Sequence, residues 1–514
     1  MHTDARTLDD GSVIEGDLCI VGAGAAGISM AMEWIGTDKD VVLLEGGGFD
    51  VDADVQSLYR GDIVGERYFP LEAARLHFFG GTTNHWAGFC SILDPIDFEE
   101  RDWVPHSGWP ISYDDMMAYY PRAHEILQLG PFEWDPAYWA AQHEDNALLP
   151  FDGDIVRTKI WQFSPPTRFG RTYRDEIVDA PNIHLYTHAN VTRIEANEPV
   201  SAVTGLRIRT LEGKELRVRA DAYVLACGAI QNARLLLASN ERAPEGLGND
   251  HDLVGRYFME HLEMPGARLA LTEPRRMRLY EFHYPEYKYP AAELTLSESA
   301  QRENSVLNGV CSFRDAPERD EPLQGMFDQI PPDAVERLRD VEGMDEAAQE
   351  AANEGSDGAS LDYPLEYQLF SRQEQAPNPN SRVTIGSERD ALGVPRVQLD
   401  WQLTELDKHT IRRFYEIIGH EAGRSGVARV QLHDWLMEDG WPSFLGGGWH
   451  HMGTTRMAES PREGVVDPRC KVHGLGNLYV AGSGPFPTAG CVNPTLSLVA
   501  LTLRLSDHLR DELS

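Results

Sequence analysis

Two kinds of side chain near the end of this sequence suit the removal of hydride from an alcohol. Imidazoles occur at His450 and His451, and a carboxamide follows about forty residues later at Asn493. Such chemistry needs one group that takes the hydroxyl proton and another that holds the oxygen while hydride leaves the carbon. An imidazole has an unperturbed pKa of ~6.5, which suits proton removal near neutral pH. A carboxamide both donates and accepts hydrogen bonds. We therefore interpret this stretch as a candidate catalytic site.

The same stretch also has simpler structural interpretations. A histidine outside such a motif more often supports the fold than catalyses. Asn493 precedes Pro494, and this order is typical of a helix N-cap with proline at the first helical position. We predict a helix over residues 494–509, whose positive end would favour a negative charge beside it. Trp449 is either a platform for a sugar ring or a packing residue, and we expect His451 to face the backbone or solvent.

The amino-terminal residues predict a dinucleotide-binding unit. An apolar run at residues 18–21 meets the pattern G-x-G-x-x-G at residues 22–27 and passes into an apolar-periodic helix. The first glycine allows a tight turn, the second lets the backbone approach a pyrophosphate, and the third lets the helix pack on the strand. A second apolar run, residues 41–44, ends in Glu45, where an acidic side chain binds a ribose hydroxyl. The order of these elements predicts a dinucleotide with its pyrophosphate at the helix N-terminus.

Length and charge limit the classes of protein to which the chain belongs. At 514 residues, two domains are expected. The apolar fraction of 42% is that of an ordinary globular protein. The net charge of −36 argues against nucleic acid and anionic membranes as partners, because phosphate binding needs clustered Lys and Arg. This charge serves either solubility or the attraction of a cationic substrate.

The cysteines and the apolar runs bear on location. None of the six cysteines forms a C-x-x-C pattern and several lie in apolar runs, which predicts buried thiols in a reducing compartment, with neither disulfides nor a metal site. We find no apolar stretch of the ~18 residues that span a bilayer. The sequence starts without the charged and then apolar plan of a signal peptide. These observations predict a cytoplasmic protein without a membrane span.

An acidic segment at about residues 314–362 interrupts the pattern of strands. It is poor in large apolar side chains, so it cannot bury much surface. Within it, residues 335–352 have the composition of a solvated helix. We interpret the segment as an insertion or lid near an entrance, with a passive surface loop as the alternative.

Turn signals and periodicity predict the remaining elements. Residues 78–88 are too rich in glycine for regular structure and suit a loop that lies against a flat ring. Ser112 has the position of a helix N-cap, with Asp115 completing a capping box. Strands are predicted at 182–194, 203–208, 215–220, 223–229 and 477–482, helices at 231–239 and 404–425, and a strand-rich region at about 263–405.

These motifs together resemble those of the glucose–methanol–choline (GMC) oxidoreductases. The similarity runs from about residue 17 to residue 509 and is strongest at the two ends and at residues 80–86, 225–234 and 254–256, with a weaker match at 375–383. The resemblance implies FAD and an α/β fold, in which a doubly wound Rossmann-like FAD domain carries an α+β substrate domain built on an antiparallel sheet.

The resemblance also implies domain boundaries. We expect a discontinuous FAD-binding domain at residues 13–102, 180–262 and 462–514. The substrate-binding domain is expected at residues 103–179 and 263–461, with the acidic segment as an insertion.

Within the family, the histidine segment followed by asparagine is most like pyranose 2-oxidase and the bacterial glycoside 3-oxidases. Aligned on Met457, the resemblance makes His450 rather than His451 the base and Asn493 its partner, with hydride passing to flavin N5. It implies free FAD, with a covalent bond at His85 as the alternative. Weaker candidates for substrate binding are Trp449, Gln368, Arg372 and Glu374.

The glycine pattern and the resemblance together assign a set of residues to the cofactor. They are Gly22, Gly24, Ala25, Ala26, Gly27, Glu45, Gly80, Gly81, Thr82, Asn84, His85, Trp86, Ala87, Val191, Cys227, Gly228, Asn232, Arg234, Gly482, Ser483, Asn493, Pro494 and Thr495.

The resulting hypothesis is FAD-dependent oxidation of an alcohol group of a sugar, glycoside or related polyol to a ketone or aldehyde. One alternative is a non-sugar alcohol oxidase or dehydrogenase of the same fold, and another is a flavoprotein subunit that relays electrons to a partner. Lyase chemistry on this fold fits the pair His450 and Asn493 less well. The motifs leave open the electron acceptor, oxygen or another redox partner, and the oligomeric state.

Overall fold

A computed structural model describes residues 1–165, 167–275, 277–281, 290–316 and 365–514. Of the predicted acidic segment, only residues 314–316 are described. The helix predicted at 335–352 therefore lies outside the described residues.

The described residues form twenty strands. In chain order they are β1 His2–Asp4, β2 Val13–Glu15, β3 Leu18–Val21, β4 Val41–Leu44, β5 Gly61–Ile63, β6 Phe89–Cys90, β7 Val156–Phe163, β8 Ile183–Thr187, β9 Asn190–Ala196, β10 Val203–Arg209, β11 Glu215–Arg219, β12 Ala222–Leu225, β13 Leu262–Leu271, β14 Ala291–Leu296, β15 Gly309–Asp315, β16 Glu366–Gln373, β17 Arg382–Arg389, β18 Pro395–Asp400, β19 Ala428–Leu432 and β20 Leu478–Val480.

The described residues also form twelve α-helices. They are α1 Ala25–Trp34, α2 Ala53–Gln56, α3 Pro95–Phe98, α4 Tyr113–Met117, α5 Tyr120–Ile126, α6 Pro136–Ala140, α7 Phe169–Thr172, α8 Arg174–Asp179, α9 Ala229–Ala238, α10 Glu298–Asn304, α11 Glu405–Arg424 and α12 Thr495–Glu512.

A six-stranded sheet carries the predicted dinucleotide unit. Its strands are parallel and have the order β1-β8-β4-β3-β12-β20. Every residue of β3, β4 and β12 is buried, as expected for parallel strands that are covered on both faces. Helix α1 packs on β3, β4 and α12. The Rossmann-like arrangement predicted from the glycine pattern is confirmed.

A seven-stranded antiparallel sheet faces the parallel sheet across the site described below. Its order is β19-β13-β16-β15-β14-β7-β6, and the antiparallel register pairs Glu263 of β13 with Arg372 of β16. Helix α11 packs on β13, β7 and β19. The strand-rich region predicted at 263–405 is therefore confirmed for the part of it that the structure describes.

Local sequence signals set most element boundaries. The Ser112 hydroxyl accepts a hydrogen bond from Asp115 N–H and the Asp115 carboxylate accepts from Ser112 N–H, which is the predicted capping box. Thr404 and Asp407 form the same motif at the start of α11. Strands β10 and β11 make the predicted hairpin.

The single strand predicted at residues 182–194 is wrong. The structure divides it into β8, which joins the parallel sheet, and β9, which joins a four-stranded sheet of order β2-β11-β10-β9. His188 lies between them with φ at 53°, a left-handed conformation that ends a strand. The chain thus changes sheet within two residues, which an alternating pattern does not reveal.

Two further features complete the fold. Among the described residues, no helix is both long enough and apolar enough to cross a bilayer. The six cysteine thiols are free; five are buried and Cys227 is partly exposed.

Candidate active site

A cavity of about 910 Å³ lies between the two large sheets. On one side it is lined by the residues that follow β3, β4, β12 and β20, so it sits at the carboxyl ends of the parallel strands. Ligands bind at this edge of open α/β sheets. On the other side it is lined by side chains of β13, β14, β15 and β16. Its volume is within the range of ~300–1,000 Å³ typical of ligand pockets.

Most residues that were assigned to the cofactor line this cavity. They are Gly22, Gly24, Ala25, Ala26, Glu45, Gly81, Thr82, His85, Trp86, Ala87, Val191, Cys227, Gly228, Arg234, Gly482, Ser483, Asn493, Pro494 and Thr495. Gly27, Gly80, Asn84 and Asn232 are not part of the lining.

These four residues support the backbone of the cavity wall without lining the cavity. A Cβ at Gly27 would collide with the carbonyl oxygen of Gly22, so the third glycine permits close packing of helix on strand. Gly80 has φ at 97° and starts a 3₁₀ turn at Gly81–Asn84, where only a loop was predicted. The Asn84 amide donates to the carbonyls of Phe79 and Gly81, both at 3.0 Å.

Asn232 ties together the ends of two parallel strands. Its Oδ1 accepts a hydrogen bond from Cys227 N–H at 2.9 Å, and its Nδ2 donates to the carbonyls of Leu225 and Ala481 at 3.3 and 3.4 Å. The side chain is fully buried. It therefore shapes the cavity edge without forming part of its lining.

The predicted catalytic pair is brought together at the cavity wall. The Asn493 amide Nδ2 lies 3.1 Å from Nε2 of His450, and both residues line the cavity. Asn493 is not the N-cap of α12, because Pro494 occupies that position and no side chain caps the helix. Instead, Asn493 Oδ1 accepts a hydrogen bond from Trp161 Nε1–H at 3.2 Å. The structure therefore favours the site interpretation of Asn493 over the capping one.

Burial keeps the His450 imidazole neutral. The pKa of His450 lies well below its usual range because burial disfavours the charged ring, and His261 and Arg372 add to this effect. Its backbone N–H donates to both carboxylate oxygens of Glu260, at 2.8 and 3.0 Å. A neutral imidazole has one nitrogen lone pair with which to take a proton.

The residues on either side of His450 in the chain, Trp449 and His451, make different contacts. The prediction that His451 faces the backbone or solvent is wrong, since its Nε2 lies 2.8 Å from the Tyr68 hydroxyl and its ring packs on Phe258. Trp449 stacks on His85 with ring centroids 5.0 Å apart, and it lines the cavity. It has φ at 60°, so its backbone conformation is one that few residues other than glycine adopt.

Four charged side chains, three of them buried and Arg314 half-buried, form the wall opposite the parallel sheet. They are Glu263, Glu293, Arg314 and Arg372, one from each of β13, β14, β15 and β16. Arg372 Nη2 donates to Glu293 at 2.8 Å and Arg372 Nε donates to the Cys491 carbonyl at 3.0 Å. Burial raises the pKa of Glu263 and of Glu293, and Arg372 opposes both shifts.

Glu263 is an acidic group of the cavity lining that lies close to the ring of the predicted base. A side chain at Gly448 would lie 2.8 Å from Oε1 of Glu263 and 2.6 Å from the His450 ring, so the carboxylate and the ring are near neighbours. Within the described residues, the Glu263 carboxylate accepts no hydrogen bond, and its nearest cation is Arg372 at 4.0 Å. It is thus available to a ligand in the cavity.

Of the other predicted substrate residues, two were misplaced. Gln368 lies outside the cavity lining, and its amide donates to the Ala267 carbonyl and contacts His433. Glu374 is also outside, because it pairs with Arg101 in the interior. The prediction that Arg372 lines the site is consistent with the structure.

Sequence reasoning missed Glu263, Glu293 and His261. The available signal was a lone acidic residue in an apolar strand, as in Ala291–Leu296, where Glu293 is the one charged residue. Such a residue is almost never buried unless it is paired or functional.

Comparison with known proteins identifies the family. A model described as FAD dependent oxidoreductase matches residues 17–245, and one described as GMC oxidoreductase matches residues 377–502. The carboxyl-terminal part of the chain is a GMC oxidoreductase domain. The first match covers the glycine pattern and the second covers both His450 and Asn493.

Individual relatives cover most of the chain. It is 23% identical to the fructose dehydrogenase large subunit of Gluconobacter japonicus, over 84% of this chain and 80% of the relative. It is 28% identical to the C-glycoside 3-oxidase of Microbacterium trichothecenolyticum, over 90% and 80%. The crystal structure of formate oxidase has the same fold, with a TM-score of 0.56 at 17% identity over 98% of this chain and 99% of that one.

The two matches make the chain an FAD-dependent oxidoreductase, and its cavity fits the cofactor. Gly24, Gly228 and Gly482 have open space where a Cβ would lie, so bare backbone faces the cavity. Arg75 Nη1 is buried in the lining without a hydrogen-bond partner among the described residues. A buried cation next to bare backbone suits an extended anionic dinucleotide. His85 Nε2 is also buried without a partner in the described part of the chain, and burial lowers the pKa of this ring to about 3.

Replacement of Glu45 with alanine is expected to weaken FAD binding by about 10–100-fold. The Glu45 carboxylate accepts hydrogen bonds from Ala23 N–H at 3.1 Å and from Gly47 N–H at 2.9 Å. These contacts hold the carboxylate where an acidic side chain binds a ribose hydroxyl. A hydrogen bond to a charged group contributes ~1.5–3 kcal/mol, and ~1.4 kcal/mol corresponds to a tenfold change in affinity, so loss of that one contact gives the expected change. Titration of the apoprotein with FAD, followed by flavin fluorescence, measures the change. Glu15→Ala, at an exposed position of β2, is the control. Equal affinities of the two variants would contradict the assignment.

Proposed function

We propose that this enzyme oxidises an alcohol group of a sugar, glycoside or related polyol to a ketone or aldehyde, with His450 as the base. The observation that carries the proposal is the contact of 3.1 Å between His450 Nε2 and Asn493 Nδ2 in the cavity wall. The similarity to fructose dehydrogenase and C-glycoside 3-oxidase supports the substrate class.

His450, Asn493 and Glu263 have different roles in the proposed reaction. Bound FAD supplies the acceptor for the hydride of the alcohol carbon. His450 Nε2 takes the hydroxyl proton, and Asn493 Nδ2–H donates to the substrate oxygen as negative charge develops there. The Glu263 carboxylate lies beside the His450 ring and favours the imidazolium that proton transfer creates.

The charged wall of the antiparallel sheet supports a substrate with several hydroxyl groups. Glu263 and Glu293 accept hydrogen bonds, and Arg314 and Arg372 donate them. A cavity with a few polar groups at fixed positions distinguishes ligands by the hydroxyls that match those groups. A simple aliphatic alcohol would leave the Glu263 carboxylate without a hydrogen-bond donor, at a cost of ~1–3 kcal/mol for an unsatisfied group.

Electron relay to a partner protein is the second candidate function. It is favoured by the similarity to a protein named as the large subunit of fructose dehydrogenase. The chemistry of the alcohol is the same in both cases, and the two functions differ in the electron acceptor.

We further propose that the chain divides into an FAD part at residues 13–102, 180–262 and 462–514 and a substrate part at 103–179 and 263–461. The parallel strands β3, β4, β8, β12 and β20 support the first part, and most strands of the seven-stranded sheet support the second. Strand β1 pairs with β8 and extends the FAD part toward the amino terminus. Strand β6 pairs with β7 and belongs with the substrate sheet.

Anaerobic reduction of the bound flavin tests the proposed function. The purified holoenzyme is mixed with D-glucose, methyl β-D-glucoside, D-fructose, D-sorbitol, 1-butanol and 2-methyl-1,2-propanediol, and the yellow flavin absorbance is followed. We expect at least one of the four carbohydrates to bleach the flavin faster than either simple alcohol does, because only carbohydrates engage the charged wall.

The same samples separate the alternatives. Fast return of the yellow colour in air indicates an oxidase, whereas slow return in air and fast return with an artificial electron acceptor supports the relay function. Bleaching by the simple alcohols alone would replace the sugar proposal by a non-sugar alcohol oxidase. Absence of bleaching with all six compounds would contradict the proposal.

A further inference from the structure

His261 lies directly behind the proposed base. Its Nδ1 is 2.8 Å from Nδ1 of His450, and the ring planes meet at 78° with centroids 4.9 Å apart. His261 is fully buried at the start of β13 and is not part of the cavity lining. It therefore contacts the base but not the space in which a substrate binds.

A carbonyl group fixes the proton positions of both rings. His261 Nε2 lies 3.0 Å from the carbonyl oxygen of Gly490, which only accepts hydrogen bonds, so Nε2 of His261 must carry the hydrogen. Burial, with a smaller contribution from Arg372, lowers the pKa of His261 to about 3, so its ring is neutral and Nδ1 is a lone pair. The contact of 2.8 Å then requires that His450 Nδ1 donates. His450 Nε2 is left unprotonated, facing the cavity.

The Trp161 indole also indicates that His450 Nε2 is unprotonated, through its hydrogen bond to Asn493. Trp161 Nε1–H only donates hydrogen bonds, so the atom of Asn493 that it contacts at 3.2 Å is the amide oxygen. Asn493 therefore directs its NH₂ group at His450 Nε2, which must accept. The hydrogen bonds run in one direction from Trp161 through Asn493, His450 and His261 to Gly490.

We propose that His261 is a positioning residue that holds His450 in the tautomer with its proton on Nδ1 and its lone pair on Nε2. This inference rests on the proposed role of His450 as the base. When substrate binds, its hydroxyl takes the place of the Asn493 amide as the donor to Nε2. The substrate O–H bond then breaks and the proton stays on Nε2. His450 Nδ1–H remains directed at His261, whose lone pair stabilises the new imidazolium.

Several charged groups lie near the two rings, but the contact between His261 Nδ1 and His450 Nδ1 does not involve them. Glu260 accepts hydrogen bonds from the backbone N–H of both His261 and His450, each at 2.8 Å, and so fixes the two segments relative to one another. Its carboxylate also accepts from Tyr68. Arg372 and Glu263 lie on the side of the antiparallel sheet, and His451 lies next to His450 in the chain. For neither ring is a hydrogen bond between the ring nitrogens and any of these charged groups observed among the described residues.

The tautomer is measured directly by ¹⁵N NMR of the holoenzyme labelled at histidine nitrogens. The signal of His450 is identified by its loss in His450→Gln. We expect a proton on Nδ1 of His450 in the wild type and in His261→Asn, whose amide oxygen accepts the same hydrogen bond. In His261→Leu, which fills a similar volume without an acceptor, we expect a mixture of the two tautomers, because the Asn493 amide alone then favours the lone pair on Nε2. A wild-type His450 with its proton on Nε2 would overturn the proposal.

Kinetics of flavin reduction by the most active carbohydrate of the panel provide the second readout. His261→Leu should reduce its flavin about 10²-fold more slowly than the wild type, within the range that proton transfer contributes, while the dissociation constant of the substrate changes less than about threefold. His261→Asn should recover most of the rate. Equal losses in His261→Leu and His261→Asn would indicate a packing role and contradict the positioning role. If His450→Ala keeps the wild-type rate, the proposed base is wrong; if it loses the rate but His261→Leu does not, only the positioning role is wrong.

Discussion

Replacement of His450 with alanine is expected to slow reduction of the flavin by substrate at least ~10²-fold, the lower end of what general base catalysis contributes. Within the part of the chain that the structure describes, the imidazole is the neutral proton acceptor in contact with Asn493. Its pKa is lowered by burial and by the neighbouring His261, Arg372 and His451, so the ring is unprotonated at neutral pH before substrate arrives. Alanine removes this acceptor and leaves the bulk of the cavity lining unchanged. The variant should therefore remain yellow while it fails to bleach.

Rapid mixing under anaerobic conditions measures this loss. The rate constant of flavin bleaching is compared for the wild type, for His450→Ala and for His420→Ala, an exposed histidine of α11 that serves as the matched control. His451→Ala is the more demanding comparison, because His451 lies next to the base but contacts Tyr68. A wild-type rate in His450→Ala together with a large loss in His451→Ala would move the base by one residue.

The dinucleotide unit was predictable from sequence because its signals are local. The three glycines at residues 22, 24 and 27 occupy one turn, and the buried runs on either side are the strands β3 and β4 with the boundaries expected. Capping boxes at Ser112 and Thr404 also involve neighbours three residues apart. In each case the interaction that fixes the structure lies within the window that the pattern covers.

The substrate wall was not predictable, because strand register brings its groups together. Glu263 and Arg372 are opposite each other across β13 and β16, although more than one hundred residues separate them in the chain. The contact between His261 and His450 likewise joins segments 189 residues apart. No periodicity in either segment specifies the partner. The resemblance to a family predicted His450 as the base but did not indicate that His261 contacts it.

Glu374 illustrates the opposite error, since a charged residue in a substrate sheet was interpreted as a ligand-binding group. The side chains of Glu374 and Arg101 are both fully buried and joined by two hydrogen bonds of 2.6 and 2.9 Å. Glu374 Oε2 also accepts from Asn308 N–H at 2.9 Å. The carboxylate thus has its partners within the protein interior and none in the cavity.

Replacement of Glu374 with glutamine is therefore expected to destabilise the protein rather than to weaken substrate binding. Glutamine keeps the shape but leaves the buried Arg101 guanidinium without its hydrogen-bonded counter-charge, and breaking a buried ion pair costs about 3–5 kcal/mol. With an unfolding entropy of roughly 2.1 cal/mol/K per residue, this loss lowers the Tm of a chain of 514 residues by about 3–5 °C. Differential scanning calorimetry of the holoenzyme at a fixed scan rate measures the shift.

Two further variants separate the buried charge from other effects of the change. Glu99→Gln breaks the exposed ion pair with Arg302, so it should change the free energy of unfolding by less than about 1 kcal/mol. The double variant Arg101→Met/Glu374→Gln removes the stranded charge and should recover part of the lost stability, because an apolar side chain replaces an ion that is costly to bury. If Glu374→Gln instead kept the wild-type Tm and raised the KM for the carbohydrate, the carboxylate would be a substrate ligand after all. The burial of both partners argues for the opposite result, in which Tm falls and KM is unchanged.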